Sequence, residues 1–260
     1  MRILIVALCL TSCNYFSANK SAVKEALERV STEKLDTVKI KPYSTTANPE
    51  IFETAFFQGT HAKMDTTPIS FYAIDMGKIN IESGKIIACD PIIMRDGVPF
   101  LQTFPIGRFP VQLAIAKVHT DERVAYSRVV FSDKPVSKWE FAIKDGQKQM
   151  PIDSGSFYGY GVDAGIGVFI DKQSNTFFDS LDKQDKNIWA TVFQEEMGKH
   201  YRNSWEYVLY DFGTHNLASF STGYGDGSYG TYVGYDDKGN ICRLLTDFGL
   251  VAWWQKQGNH

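Results

Sequence analysis

Residues 109–131 read Phe109-Pro110-Val111-Gln112-Leu113-Ala114-Ile115-Ala116-Lys117-Val118, then His119-Thr120-Asp121-Glu122, then Arg123-Val124-Ala125-Tyr126-Ser127-Arg128-Val129-Val130-Phe131. Two long runs of β-formers with a short polar step between them predict an antiparallel hairpin. No helical stripe competes with it. Upstream, Ser70–Asp75, Lys78–Glu82 and Lys85–Cys89 are further β-rich runs, split at Gly77 and at Ser83-Gly84, and read as a meander. Downstream come Ser137–Ile143, then Tyr158–Asp163 and Gly167–Asp171 flanking a turn at Ala164-Gly165-Ile166. Glu206–Phe212, Asn216–Thr222, Tyr229–Tyr235 and Ile241–Thr246 follow, the last two joined by a turn at Asp236-Asp237-Lys238-Gly239-Asn240.

Only two segments break the β rhythm. In Gln184–Tyr201, Ile188, Trp189, Val192, Phe193, Met197 and Tyr201 recur at helical spacing, and in Ser21–Val30 the residues Ala22, Val23, Ala26, Leu27 and Val30 do so behind Ser21 as cap. The expected fold is therefore mainly β, at the margin of α+β: an antiparallel β-sandwich or partly closed barrel with two peripheral helices. Lys144–Ser156, with two glycines and a proline, is the longest expected loop, and two lobes would part there. There is no internal repeat.

The chain has 260 residues, 43% hydrophobic and 22% charged, which excludes disorder. With 27 Lys+Arg against 30 Asp+Glu its formal charge is −3, so nothing draws it to nucleic-acid phosphates. Its beginning is more specific. Arg2, the apolar run Ile3–Leu10 and Leu10-Thr11-Ser12-Cys13 resemble a bacterial lipoprotein signal peptide. That resemblance implies cleavage after residue 12, a lipid on Cys13 and a place in the bacterial cell envelope, facing the periplasm or the cell surface. The expected organisation is a leader over 1–12, anchor, tether and short helix over 13–33, and a single β-rich domain over 34–260. Cys89 and Cys242 lie inside apolar runs and are expected to be buried thiols.

The sequence has no His-Glu-x-x-His pair, nucleophile elbow, Walker loop or Cys-x-x-Cys. Gly225-Asp226-Gly227-Ser228-Tyr229-Gly230 matches the dinucleotide fingerprint, but a β-prone run follows it where the chemistry needs a helix N-terminus. No nucleotide, cofactor or metal is expected. Asp90, Asp163 and Asp226 each lie at a glycine- or proline-marked turn, where a carboxylate can be held half-buried or can simply shape the loop. Asp163 and Asp226 are the candidate acid–base pair of a hydrolase, with Asp90 and Tyr232 as neighbours. Tyr160, Tyr224 and Tyr232, beside Gly-rich turns, are the candidate contacts of a module that binds a protein, peptide or glycan, an immunity-type partner being one version.

Three segments resemble a bacterial family, the domain of unknown function numbered 4241. They are Ser83-Gly84-Lys85-Ile86-Ile87-Ala88-Cys89-Asp90-Pro91, Pro105-Ile106-Gly107-Arg108-Phe109-Pro110-Val111 and Tyr160-Gly161-Val162-Asp163-Ala164-Gly165. Ser221-Thr222-Gly223-Tyr224-Gly225-Asp226-Gly227, with Tyr232, Gly234, Asp236 and Thr246-Asp247-Phe248, extends the likeness over residues 70 to 250. It departs at Gly230, Val233 and Val168, where relatives tend to carry proline, tryptophan and cysteine. The resemblance implies a shared fold and shared special positions, and no activity.

Overall fold

A computed structural model describes residues 47–254; the leader, Cys13, the tether and the expected helix at Ser21–Val30 lie outside them. A four-residue helix, α1 (Ile51–Thr54), opens the described chain. The strands that follow are β1 (His61–Met64), β2 (Thr67–Ile81), β3 (Ile86–Cys89), β4 (Gly107–Val118), β5 (Asp121–Val130), β6 (Lys138–Phe141), β7 (Gly159–Val162) and β8 (Ile166–Asp171). Next come α2 (Lys172–Gln184) and α3 (Ile188–Ala190), which runs on as π-helical turns over Thr191–Glu196. Strands β9 (Tyr207–Phe212), β10 (His215–Ser221), β11 (Gly227–Tyr235) and β12 (Ile241–Asp247) complete the order.

The strands form two antiparallel sheets and no closed barrel. Eight strands make the larger sheet in the order β1-β2-β4-β5-β12-β11-β6, with β7 also paired to β11. Four make the smaller, in the order β3-β8-β10-β9. The hairpin that decided the reading is present as β4–β5, and its connection is tighter than expected. Val118 pairs with Asp121, so only His119-Thr120 turn the chain, with His119 in the left-handed region (φ 57°).

The smaller sheet is a middle layer. Ile86, Ala88, Phe169, Ala218 and Phe220 face the core shared with the larger sheet, whereas Ile87, Cys89, Val168, Ile170 and Leu217 face Phe178, Val192, Phe193 and Met197 of the helices. Alternate residues of one strand thus enter two different cores, which is why Ile86–Cys89 is apolar without a break.

Two expectations need correction. The stretch from 70 to 89 is not a meander, because β2 continues through Gly77 as a bulge and β3 leaves for the other sheet. Glycine suits that bulge: its φ is 107°, and an added Cβ would lie 2.8 Å from the Leu209 side chain. The expected turn at Ala164-Gly165-Ile166 carries the chain from β7 in the larger sheet to β8 in the smaller. Finally, the helical region starts earlier than Gln184. Helix α2 is capped by the Asp171 carboxylate, which accepts from the Gln173 N–H (2.8 Å). Most of its surface is polar, so its apolar stripe is too thin to stand out in the sequence.

The outer face of the larger sheet is covered by α1 and by residues 248–254. Along β12 and β5, Arg243 and Arg128 point to this side and meet Glu53 of α1, each at 3.1 Å. Phe52 fills the space beside them, its ring 4.8–5.7 Å from those of Tyr126, Trp139, Tyr232 and Trp253. The loop Lys144–Ser156 runs over the same side, and the strands before and after it, β6 and β7, pair with the same strand β11.

Candidate functional site

The turn carboxylates lie at one corner of the fold. Asp90, almost fully buried, accepts from the Ile92 N–H through Oδ1 and from the Asp163 and Ala164 N–H groups through Oδ2, all at 2.7 Å. It starts the helical turn Pro91–Asp96 and ties the end of β3 to the β7–β8 crossover. The Gly165 carbonyl in turn accepts from Thr222 N–H (3.0 Å), so the family-like segments at 89–91, 160–165 and 221–227 meet at one corner of the fold.

Val162 pairs with Gly227 at the end of its ladder, and the next residues outward, Asp163 and Asp226, stand at that same end with exposed side chains. Tyr232 is not their neighbour, because it lies five residues along β11 among Phe52, Phe141 and Trp253. Removing Asp90 strands three N–H groups, so Asp90→Ala should lower stability by about 2 kcal/mol in a urea melt. Asp226→Ala should cost less than about 0.5 kcal/mol. Equal effects would show that Asp90 does not clamp the corner.

The three candidate tyrosines separate. Tyr160 and Tyr232 are buried, Tyr160 against Gly167 and Tyr232 under α1. Tyr224 stays 57% exposed, with the Arg123 guanidinium 5.0 Å over its ring and Met64 Sδ accepting from its hydroxyl at 3.4 Å. Tyr229 is also inward, its hydroxyl donating to the Gly225 carbonyl (2.7 Å) and so pinning the glycine-rich loop. Cys89 and Cys242 are free and buried, and burial pushes the Cys89 thiol up to about 12, which leaves it inert as a nucleophile.

A Ser–His–Glu constellation that the sequence does not reveal lies between the smaller sheet and α2. Ser174 Oγ (3.3 Å) and Glu82 Oε1 (3.0 Å) both meet His215, and both at Nδ1. A relay needs nucleophile and carboxylate on opposite ring nitrogens. Ser174 is fully buried besides, so the cluster holds α2 to the sheet.

The site that sequence reading missed is a pocket of about 300 Å³ on the outer face of the larger sheet. Its walls come from the loop before β7 (Ile152, Gly155, Phe157), from β11 (Ser228, Tyr232) and from the final segment (Trp253, Trp254). Asp247, the last residue of β12, also lines it. Asp247 is 9% exposed, and its two oxygens accept from Gly249 N–H (2.8 Å) and from the Trp253 indole N–H (2.7 Å). Burial raises its pKa to about 6, an effect these two hydrogen bonds only partly offset. The phenols of Tyr126 and Tyr232 are the titrating groups that feel its charge, and burial holds both well above their ordinary range. The one available signal was Thr246-Asp247-Phe248 itself, a carboxylate in an apolar strand end, but no spacing marks it as a site.

Fold and site together define a layered, two-sheet β protein whose aromatic pocket is lined by a buried carboxylate. The chain belongs to the family described as protein of unknown function DUF4241, whose model matches residues 79–246. No curated protein and no solved structure matches it. Among the described residues no helix is long and apolar enough to cross a membrane, and no three His, Cys, Asp or Glu side chains are grouped to hold a metal ion.

Proposed function

We propose that this protein is a binding module of the bacterial cell envelope, held to a membrane by lipid on Cys13, which uses the Asp247 pocket to take a ligand or a side chain of a protein, peptide or glycan partner. The observation that carries the reading is the composition of that pocket. It offers aromatic area and one carboxylate, and no histidine, thiol or second carboxylate stands among its lining residues to move a proton or attack a bond. Binding is what such a set of groups can do. The alternative, a hydrolase using Asp163 and Asp226, is supported by their place at one ladder end. Their exposure to solvent counts against it, because a catalytic acid needs drier surroundings.

Two measurements test the proposal. An alkyne fatty acid should label the wild-type protein in cells and not Cys13→Ser, and equal labelling would remove the anchor. A small-molecule screen by thermal shift should yield compounds that stabilise the wild type but not Ser228→Trp, which fills the pocket. If every compound that stabilises the wild type also stabilises Ser228→Trp, the pocket is not the binding site.

A further inference from the structure

Among the described residues, Asp247 is a buried carboxylate that no cation meets. A buried carboxylate is costly unless a positive group or a full set of donors meets it. Here the two donors are neutral, the backbone N–H of Gly249 and the indole of Trp253. Among the described residues the pocket's lining includes no lysine, arginine or histidine, and Asp247 is the only charged one. Two arginines on the same face of the sheet, Arg128 and Arg243, are engaged by Glu53. Around the carboxylate the lining is aromatic: Phe157, Tyr232, Trp253 and Trp254. Aromatic rings attract cations, and more strongly where water is excluded. Each carboxylate oxygen already accepts one hydrogen bond and has a lone pair left for another. An N–H donor can use it; a quaternary ammonium has none to give.

We propose that the pocket takes a protonated amine with a compact apolar body, its ammonium pairing with Asp247 and its body lying among the aromatic side chains. The inference rests on the binding-module reading and names the ligand class for the same pocket. At about 300 Å³ the cavity is at the small end of the range, roughly 300–1,000 Å³, seen for small-molecule sites. Such an amine could be free or could end a lysine-like side chain, and the chemistry recognised is the same. With Asp247 titrating near 6, the carboxylate is largely charged at neutral pH and accepts the cation without first losing a proton.

The test uses the full-length protein and three probes of one shape: phenethylammonium, neutral 2-phenylethanol and anionic phenylacetate. Binding is read by calorimetry and by the fluorescence of the pocket tryptophans. The amine should bind at least tenfold more tightly than the alcohol, and the anion most weakly. Between pH 5 and pH 7 the amine's affinity should rise about tenfold as Asp247 ionises, while the alcohol's stays level. Tyr126 and Tyr232, the other titrating neighbours, remain neutral across that window.

Asp247→Asn should erase the preference for the amine. Should that variant fail to fold, the pH series on the wild type and Phe157→Ala, at an exposed ring, carry the test, the latter weakening amine binding severalfold. Equal affinity for amine and alcohol, a flat pH series, or unchanged amine binding in Phe157→Ala would overturn the cation assignment while leaving the pocket a binding site. If no probe of any charge binds, the binding-module reading falls, and the assignment with it.

Discussion

Phe52→Ala should destabilise the protein by about 3–5 kcal/mol, measured as a shift of the urea midpoint at unchanged slope. Phe52 has no exposed surface and touches four aromatic rings that come from three strands and the final segment. Its helix has four residues and no side-chain cap, too short to persist by its own hydrogen bonds. What holds α1 in place is therefore the ring of Phe52 and the ion pairs of Glu53. Losing the ring opens a cavity beside Trp253 and loosens one wall of the pocket, so the variant should also bind pocket ligands less well. A loss under about 1 kcal/mol would mean that α1 is not an anchor of the outer face.

The second large effect is a pH dependence that belongs to Asp247. Its carboxyl is raised from the ordinary 3.8 to about 6 in the folded protein, so between those values the folded state holds a proton that the unfolded state has lost. The stability it contributes is full below pH 3.8 and is lost as pH rises through 6. The shift corresponds to about 3 kcal/mol. Asp247→Asn cannot titrate, so the difference in stability between the wild type and this variant should move by that amount, against the wild type, from pH 3.5 to pH 7. Denaturant melts of both proteins across the range measure it. A constant difference would show that Asp247 is solvated, and would remove the reason to place a cation beside it.

The β architecture was legible because its signals are local. Val111 to Val130 is two runs of β-formers with a polar step where a hairpin must turn, and Asp236 to Asn240 carries the chemistry of a turn that the structure confirms through four bonds to the Asp236 carboxylate. What the sequence hid depends on partners far along the chain. Gly77 looks like a break until Leu209 is seen packed over it. The turn at Ala164 was legible, but nothing local records that the strands on its two sides part, Cys89 pairing with Val168 and Val162 with Gly227. Asp90 was found by its setting, but its role as a clamp on Asp163 and Ala164 requires a contact 73 residues away. Asp247 passed as part of a strand because its acidity comes from burial, which only the covering segment and α1 produce.

The two ends of the described chain meet. Ala47 bridges Trp254, and Asn48 N–H donates to the Trp253 carbonyl at 2.7 Å, next to the pocket that Trp253 and Trp254 line. The fold is in this sense almost a ring, clasped at the mouth of its pocket. The backbone therefore enters the described fold at Ala47 and leaves it at Trp254 beside the pocket, so a change to either clasp residue also changes the pocket's mouth.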